Sequence, residues 1–191
     1  MISCEDLIET EIIKEIIKQT ILQFIEATNL EDLLTEDDLR CHLFYWIKNA
    51  IKDHSQASIH SEVRWYGGQN FGKEKLKFRA DLVVIDIETL DNPIGKISSI
   101  RLNSKGYAFE DYYAVIELKL RRPNDNSSDA SFEEMIKRDF EKVRIIKSRT
   151  STKHSPLTIV ISFDKRRIKK EAWLIEESYD PTLLINSTSY Q

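Results

Sequence analysis

The chain has 191 residues, of which 41% are hydrophobic, and a formal net charge of −4 at pH 7. This is enough apolar material for one ordinary core, and any second module has to be small. No uncharged run approaches the length needed to cross a bilayer, which predicts a soluble, unprocessed protein. Cys4 and Cys41 lie far apart and have no close Cys or His partner at metal-ligand spacing, so neither a disulfide framework nor a zinc site is expected, and a cytoplasmic location is the default.

Two helices are predicted before the first strand. Residues 5–27 repeat isoleucine at helical spacing, which predicts a helix with a wide apolar face. This helix either packs on the domain or pairs with a second copy in a homodimer, and the sequence leaves both open. Thr35 is placed to cap a second helix over residues 36–53, with Asp38 at the third position of a capping box. Residues 1–34 are therefore interpreted as a helical attachment.

Four strands and one further helix complete the predicted order of elements. Period-two alternation and β-branched residues indicate the strands, which in chain order are 59–66, 76–88, 111–120 and 156–164. The last is a short apolar run suited to the middle of a sheet. The sequence SFEE, from Ser131, forms a capping box that opens a helix to about residue 149. Helical spacing places five apolar residues on its inner face: Phe132, Ile136, Phe140, Val143 and Ile146. An α/β domain is expected over residues 35–177, with residues 166–177 helical. Residues 178–191 are expected as a C-terminal tail, in which LLINSTSYQ begins as a marginal strand and then frays.

Two of the predicted strands carry ionisable side chains within apolar runs. Asp81 lies in RADLVVI, and Glu117 and Lys119 share one face of AVIELKL. An unpaired carboxylate in the centre of a strand is costly, so something has to compensate it. Either the three side chains form a structural ion pair cluster, or Asp81 and Glu117 bind a metal ion. Carboxylate oxygens suit Mg²⁺ or Mn²⁺, and a neighbouring lysine can position or polarise an attacking water.

In the order of its elements and in these three residues, the chain resembles the PD-(D/E)xK nuclease superfamily over about residues 35–164. Asp81 matches the aspartate of the second core strand, Glu117 and Lys119 match the (D/E)-x-K of the third, and Ala80 stands where the family name has proline. The resemblance implies a restriction-endonuclease-like αβββαβ core, with a mixed central sheet flanked by helices and an extra N-terminal helix. It also implies a divalent-metal-dependent nuclease acting on DNA, in which Asp81 and Glu117 bind Mg²⁺ or Mn²⁺ and Lys119 assists the water.

Further acids are candidates for the same site. The superfamily often adds an acid from its first core helix or strand. Glu62 lies in the strand adjoining that of Asp81 and is the preferred candidate here. Glu36 and Asp38 are the alternatives, although acids in the first turn of a helix also complement its dipole. A register change of one residue would turn Glu62 to the other face of the sheet.

Candidate nucleic-acid contacts come from basic residues. Arg79 shares the face of the strand aspartate, where it either contacts phosphate or pairs with an acid. Lys142, on the helix after the motif, faces either the site or the solvent, as does Asp139. Residues 137–170, which include Arg166 and Arg167, hold 12 Lys and Arg against three Asp and Glu. Such a segment either neutralises several phosphates or merely solvates a helix face and a loop.

Two interpretations of function follow. The first is the metal-dependent nuclease. The second is a non-catalytic nucleic-acid-binding or assembly module on the same fold, in which the buried charges are structural. They predict different outcomes for Lys119→Ala: loss of cleavage with binding retained in the enzyme, or loss of stability in the structural module.

Overall fold

The protein has a mixed α/β fold with one six-stranded sheet. The computed structural model describes residues 4–64, 79–87, 112–149, 155–175 and 181–188. Within these ranges the elements are α1 (Cys4–Ala27), a 3-10 turn (Leu30–Asp32), α2 (Glu36–Ala50), β1 (Ala57–Arg64), β2 (Arg79–Asp86), β3 (Tyr112–Arg121), α3 (Asp129–Arg149), β4 (Leu157–Asp164), β5 (Lys169–Leu174) and β6 (Thr182–Thr188). None of the described helices is long and apolar enough to span a bilayer.

The strands lie in the sheet in the order in which they occur in the chain. The pair β3–β4 is parallel, with α3 as the intervening helix, and the other four neighbouring pairs are antiparallel. The predicted order of helix, three strands, helix and strand is confirmed from α2 to β4. β4 lies between β3 and β5 and is buried along most of its length, as its apolar run predicts. Between the second and third strands, the turn-forming residues of DNPIG and LNSKG predict an insertion, and this segment lies outside the described residues.

Two hydrophobic clusters cover the two faces of the sheet. Alternation along β3 places Ile116 in one cluster and Val115 in the other. The first, the α1-side cluster, joins α1 and α2 to the sheet, and the second, the α3-side cluster, joins α3 to it. The predicted inner face of α3 is confirmed, since Phe132, Val143 and Ile146 are buried there. Burying each side chain of this size contributes roughly 1.5–3 kcal/mol, so both faces stabilise the sheet.

The N-terminal helix packs on the domain itself. Ile17 and Ile21 are fully buried in the cluster that also holds α2, whereas Ile8 is 60% exposed. One stripe of the wide apolar face is therefore buried. At the C-terminal end of α1, the buried Lys170 ammonium donates a hydrogen bond of 3.0 Å to the Thr28 carbonyl oxygen. A cation there satisfies an acceptor that the end of the helix leaves free.

Helix α2 begins as predicted, and α3 begins earlier than predicted. Thr35 Oγ1 accepts a hydrogen bond from the Asp38 N–H at 3.1 Å, and Asp38 Oδ2 accepts one from the Thr35 N–H at 2.7 Å. These bonds hold the pKa of Asp38 below its ordinary value. Helix α3 starts at Asp129, and Ser128 Oγ accepts the Ser131 N–H at 3.1 Å. The predicted N-cap was of the right residue type but three residues too late.

The C-terminal part of the sheet corrects the sequence prediction. The helix expected over residues 166–177 is wrong, because Lys169–Leu174 form β5 and pair with β4. Thr182–Thr188 form β6 and pair with β5, which confirms the marginal strand predicted at the start of LLINSTSYQ. The β5 segment is rich in Lys, Glu, Ala and Leu, which have good helical propensity. Pairing with β4 and the complete burial of Ala172 in the α1-side cluster nevertheless favour a strand.

Candidate active site

Strands β2 and β3 cease to pair at the level of Asp81, Glu117 and Lys119. The pairing of β2 with β3 reaches as far as Leu82 and Ile116. Beyond it, two N–H groups of β3 donate to carboxylates: Leu118 to Asp81 Oδ2 at 2.8 Å, and Leu120 to a Glu36 oxygen at 3.4 Å. Buried backbone donors need acceptors, and here side chains from β2 and α2 replace the neighbouring strand. The opening between β2 and β3 is therefore lined by acids.

Strand β1 is irregular opposite Asp81. Glu62 has a φ of 59°, in the left-handed region that costs a residue with a Cβ about 1–2 kcal/mol. The ladder with β2 resumes at Val63 and Ala80. Simple alternation would place Ala80 beside Leu82, yet Ala80 joins Val63 in the α3-side cluster. Strict alternation of faces along β2 therefore fails between Ala80 and Leu82, where the ladder with β1 is also interrupted.

Glu117 is the most deeply buried carboxylate at the opening. Its side chain is 2% exposed, and Oε2 accepts a hydrogen bond of 2.6 Å from Lys142 Nζ. Oε1 is buried and has no hydrogen-bond partner in the described part of the chain. Burial raises the pKa of Glu117 well above its ordinary value, the Lys142 ammonium opposes this, and the charge of Asp81 adds to it. One lysine thus compensates the ionised carboxylate only in part.

Lys119 contacts two other acids. Its Nζ lies 3.2 Å from Asp139 Oδ2, as an ion pair rather than an aligned hydrogen bond, and 3.8 Å from Glu36 Oε2. Burial lowers the pKa of Lys119, but Asp139, Glu36 and Asp81 outweigh burial and raise it above its ordinary value. Burial raises the pKa of both Glu36 and Asp139, which Lys119 opposes. Among the described residues, the ion pairs of Lys119 are therefore with Asp139 and Glu36, and not with Asp81 and Glu117 as a direct structural cluster of the three would require.

Arg40 is a member of the site that the sequence prediction missed. Its guanidinium lies 3.2 Å from Asp81 Oδ1, 3.0 Å from Glu62 Oε1 and 2.7 Å from Asp37 Oδ1. Glu62 is therefore linked to Asp81 through an arginine. The sequence does contain a pattern that indicates Arg40: it follows Glu36 by four residues, and this spacing places both side chains on one face of a helix.

The structure brings most of the predicted site residues together. We use the term site network for Glu36, Arg40, Glu62, Asp81, Glu117, Lys119, Asp139 and Lys142. Glu62 and Glu36, weighed as alternatives from the sequence, both belong to it. Arg79 lies at its edge, half exposed and ion-paired with Glu62. Asp38 is half-buried at the cap of α2, and none of its hydrogen bonds given above reaches the site network.

Arg166 and Arg167 contact other residues. Arg167 Nη2 donates to Asp129 Oδ2 at 2.6 Å, and Arg166 Nη1 donates to the Ser127 carbonyl oxygen at 2.7 Å. Both arginines therefore tie the turn between β4 and β5 to the start of α3. The described basic residues of the segment 137–170 are distributed over α3, this turn and β5.

A buried arginine orients the helix that carries Asp139 and Lys142. The Arg121 side chain has no exposed surface, and its Nε donates to Asp164 Oδ1 at 2.9 Å while Nη2 binds the other oxygen. Nη1 donates to Asp129 Oδ1 at 2.6 Å, and the guanidinium carbon lies 4.8 Å from the centre of the Phe132 ring. Arg121 therefore joins the end of β3 to the first turn of α3 and to the end of β4.

The site network suits a divalent cation in charge and in donor type. Its five carboxylates outnumber its three cationic side chains, and Glu117 offers a buried oxygen to which no described residue donates a hydrogen bond. Carboxylate oxygens are hard donors of the kind that Mg²⁺ and Mn²⁺ prefer. In the ranges that the structure describes, no three Asp, Glu, His or Cys side chains are already grouped for a metal ion. Arg40 and Lys142 instead lie against Asp81 and Glu117.

Fold and site together define a mixed α/β protein with a partly buried network of acids and cations at the opening of its sheet. A comparison with protein-family models and with curated protein sequences finds no match. The function has to be inferred from the chemistry of the site network.

Proposed function

We propose that the protein is a divalent-metal-dependent nuclease that hydrolyses phosphodiester bonds in DNA on a restriction-endonuclease-like core. The observation that carries this proposal is the convergence of Asp81 with Glu117 and Lys119 at the opening between β2 and β3. The order α2, β1, β2, β3, α3, β4, in which the resemblance to the PD-(D/E)xK superfamily lies, supports the proposed core.

Asp81 and Glu117 are the residues that would hold Mg²⁺ or Mn²⁺. A bound divalent cation supplies positive charge for a phosphate and a more acidic water. The excess of acid in the site network favours such a cation: the pKa values of Glu36, Glu117 and Asp139 are all raised by burial and further by the charge of Asp81. Added positive charge would relieve that repulsion.

Lys119 has the protonation state that its proposed role requires. Asp139 and Glu36 keep its ammonium charged, since they outweigh the effect of burial on its pKa. A charged lysine cannot accept a proton from water, but it donates hydrogen bonds to a water or to the developing negative charge of a phosphate. Glu62 acts indirectly, as a positioning residue, because it holds Arg40 beside Asp81.

The test combines metal titration with DNA cleavage. Mn²⁺ and Mg²⁺ are titrated by calorimetry into the wild type and Asp81→Asn, and both proteins are incubated with supercoiled plasmid. We expect the wild type to bind metal and to nick or linearise the plasmid, and Asp81→Asn to do neither. Glu141→Gln, which removes an exposed acid of α3, is the matched control and should behave as the wild type. An intact plasmid with both metals and no heat of binding would overturn the proposal.

One observation favours a second candidate, a non-catalytic nucleic-acid-binding or assembly module. Asp81 and Glu117 already have internal counter-charges in Arg40 and Lys142, as structural charges would. Lys119→Ala separates the candidates. The nuclease would cleave before the substitution, lose cleavage after it and keep DNA binding. A structural module would melt at a lower temperature and would cleave neither before nor after the substitution.

A further inference from the structure

The two internal cations at the proposed metal ligands are held in different ways. Arg40 contacts Asp81, Glu62 and Asp37, so losing one of these carboxylates leaves it two others. Among the described residues, Lys142 donates one short hydrogen bond, of 2.6 Å to Glu117 Oε2, and its side chain is 21% exposed. The contact at Glu117 is thus the easier of the two to exchange.

We propose that the Lys142 ammonium and a divalent cation compete for the Glu117 carboxylate, so that Lys142 limits the metal affinity of the site network. This inference rests on the proposed metal-dependent function. It adds a specific competition: Lys142 and the metal ion alternate at one buried carboxylate.

The structure provides a route for the exchange. Lysine carries its charge on a flexible four-carbon stem, and the ammonium of a partly exposed lysine side chain can turn to solvent while the helix stays in place. The neighbouring Val143 is fully buried, and the first turn of α3 is held by the Arg121 guanidinium. Helix α3 is therefore anchored on both sides of the side chain that moves. Release of Lys142 would free Glu117 Oε2 beside an Oε1 that has no hydrogen-bond partner among the described residues.

Electrostatics favours the exchange once a cation is present. Glu117 is buried near Asp81 and Asp139, whose charges repel its own. A divalent ion brings twice the charge of the ammonium to this position, and burial strengthens the attraction. The loss of the Lys142–Glu117 contact opposes metal binding, and a substitution of Lys142 removes this cost.

The test measures Mn²⁺ binding by calorimetry to the wild type, Lys142→Gln and Lys142→Met. Lys142→Gln removes the charge and retains a hydrogen-bond donor for Glu117, so it remains informative if Lys142→Met does not fold. We expect Lys142→Gln to bind Mn²⁺ about tenfold more tightly than the wild type, which corresponds to about 1.4 kcal/mol of lost competition. Lys137→Met removes an exposed lysine of the same helix and should bind as the wild type does.

The two ways of failing are distinct. If the wild type binds Mn²⁺ and Lys142→Gln binds it equally or more weakly, the competition is overturned and the proposed function stands. If neither protein binds Mn²⁺, both the competition and the metal-dependent function are overturned.

Amine labelling provides a second readout that does not depend on a variant. The wild type is acetylated with and without Mn²⁺, and modification of individual lysines is measured by mass spectrometry. We expect Mn²⁺ to increase the modification of Lys142, because its ammonium leaves Glu117 for solvent. Lys170, buried against the end of α1, should be modified equally in both samples. Unchanged modification of Lys142 in the presence of bound Mn²⁺ would overturn the competition.

Discussion

Substitution of Arg121 by methionine should strongly destabilise the protein. Arg121 is fully buried, and it is the counter-charge of Asp164, whose side chain is 6% exposed. Removing one partner of such a pair leaves a buried charge uncompensated and costs about 3–5 kcal/mol. Methionine retains much of the packing against Phe132, so the loss reports mainly on charge. For a domain of this size we expect the melting temperature to fall by roughly 6–20 °C, at about 2–4 °C per kcal/mol.

The assay is urea denaturation followed by circular dichroism, with a thermal melt of the same samples. Arg122→Met is the matched control, since Arg122 is the next residue and is exposed. Its free energy of unfolding should stay within about 0.5 kcal/mol of the wild type. Adding Asp164→Asn to Arg121→Met should restore about 1–3 kcal/mol, because the uncompensated charge is then gone. Equal effects of Arg121→Met and Arg122→Met would refute the buried role of Arg121.

Three further predictions concern the site and the core. The folded state raises the pKa of Glu117, so this carboxyl has little effect on stability below its ordinary pKa and destabilises the fold increasingly as the pH rises from the ordinary pKa to the raised one. Glu117→Gln should therefore melt a few degrees above the wild type at pH 8 and close to it at pH 4, and a lower melting temperature at pH 8 would contradict the sign. Ile17→Ala should cost about 2–5 kcal/mol and the exposed Ile8→Ala under about 0.5, measured by urea denaturation, because only Ile17 is buried in the core. Thr35→Ala should cost about 1 kcal/mol in the same assay, through the lost helix cap, and no loss would argue against that cap.

The sequence alone predicted the features that depend on neighbouring residues. The start of α2 follows from the Thr35–Asp38 capping box, and the buried face of α3 follows from helical periodicity. Alternation placed Glu117 and Lys119 on one face of β3, where both now contact residues of α3. The central place of β4 follows from its continuous apolar run. Each of these depends on patterns only a few residues long.

The tertiary structure alone decided which charges meet. Lys119 pairs with Asp139 and Glu36 because α3 and α2 bring these acids to within 3.8 Å, and no local pattern states that distance. The same holds for Arg40 beside Asp81, which are 41 residues apart in the chain. Residues 169–174 became a strand because β4 offers a partner, although their composition favours a helix. Partners distant in the chain are selected by packing and strand pairing, so the elements of the site were readable from the sequence, whereas their contacts required the fold.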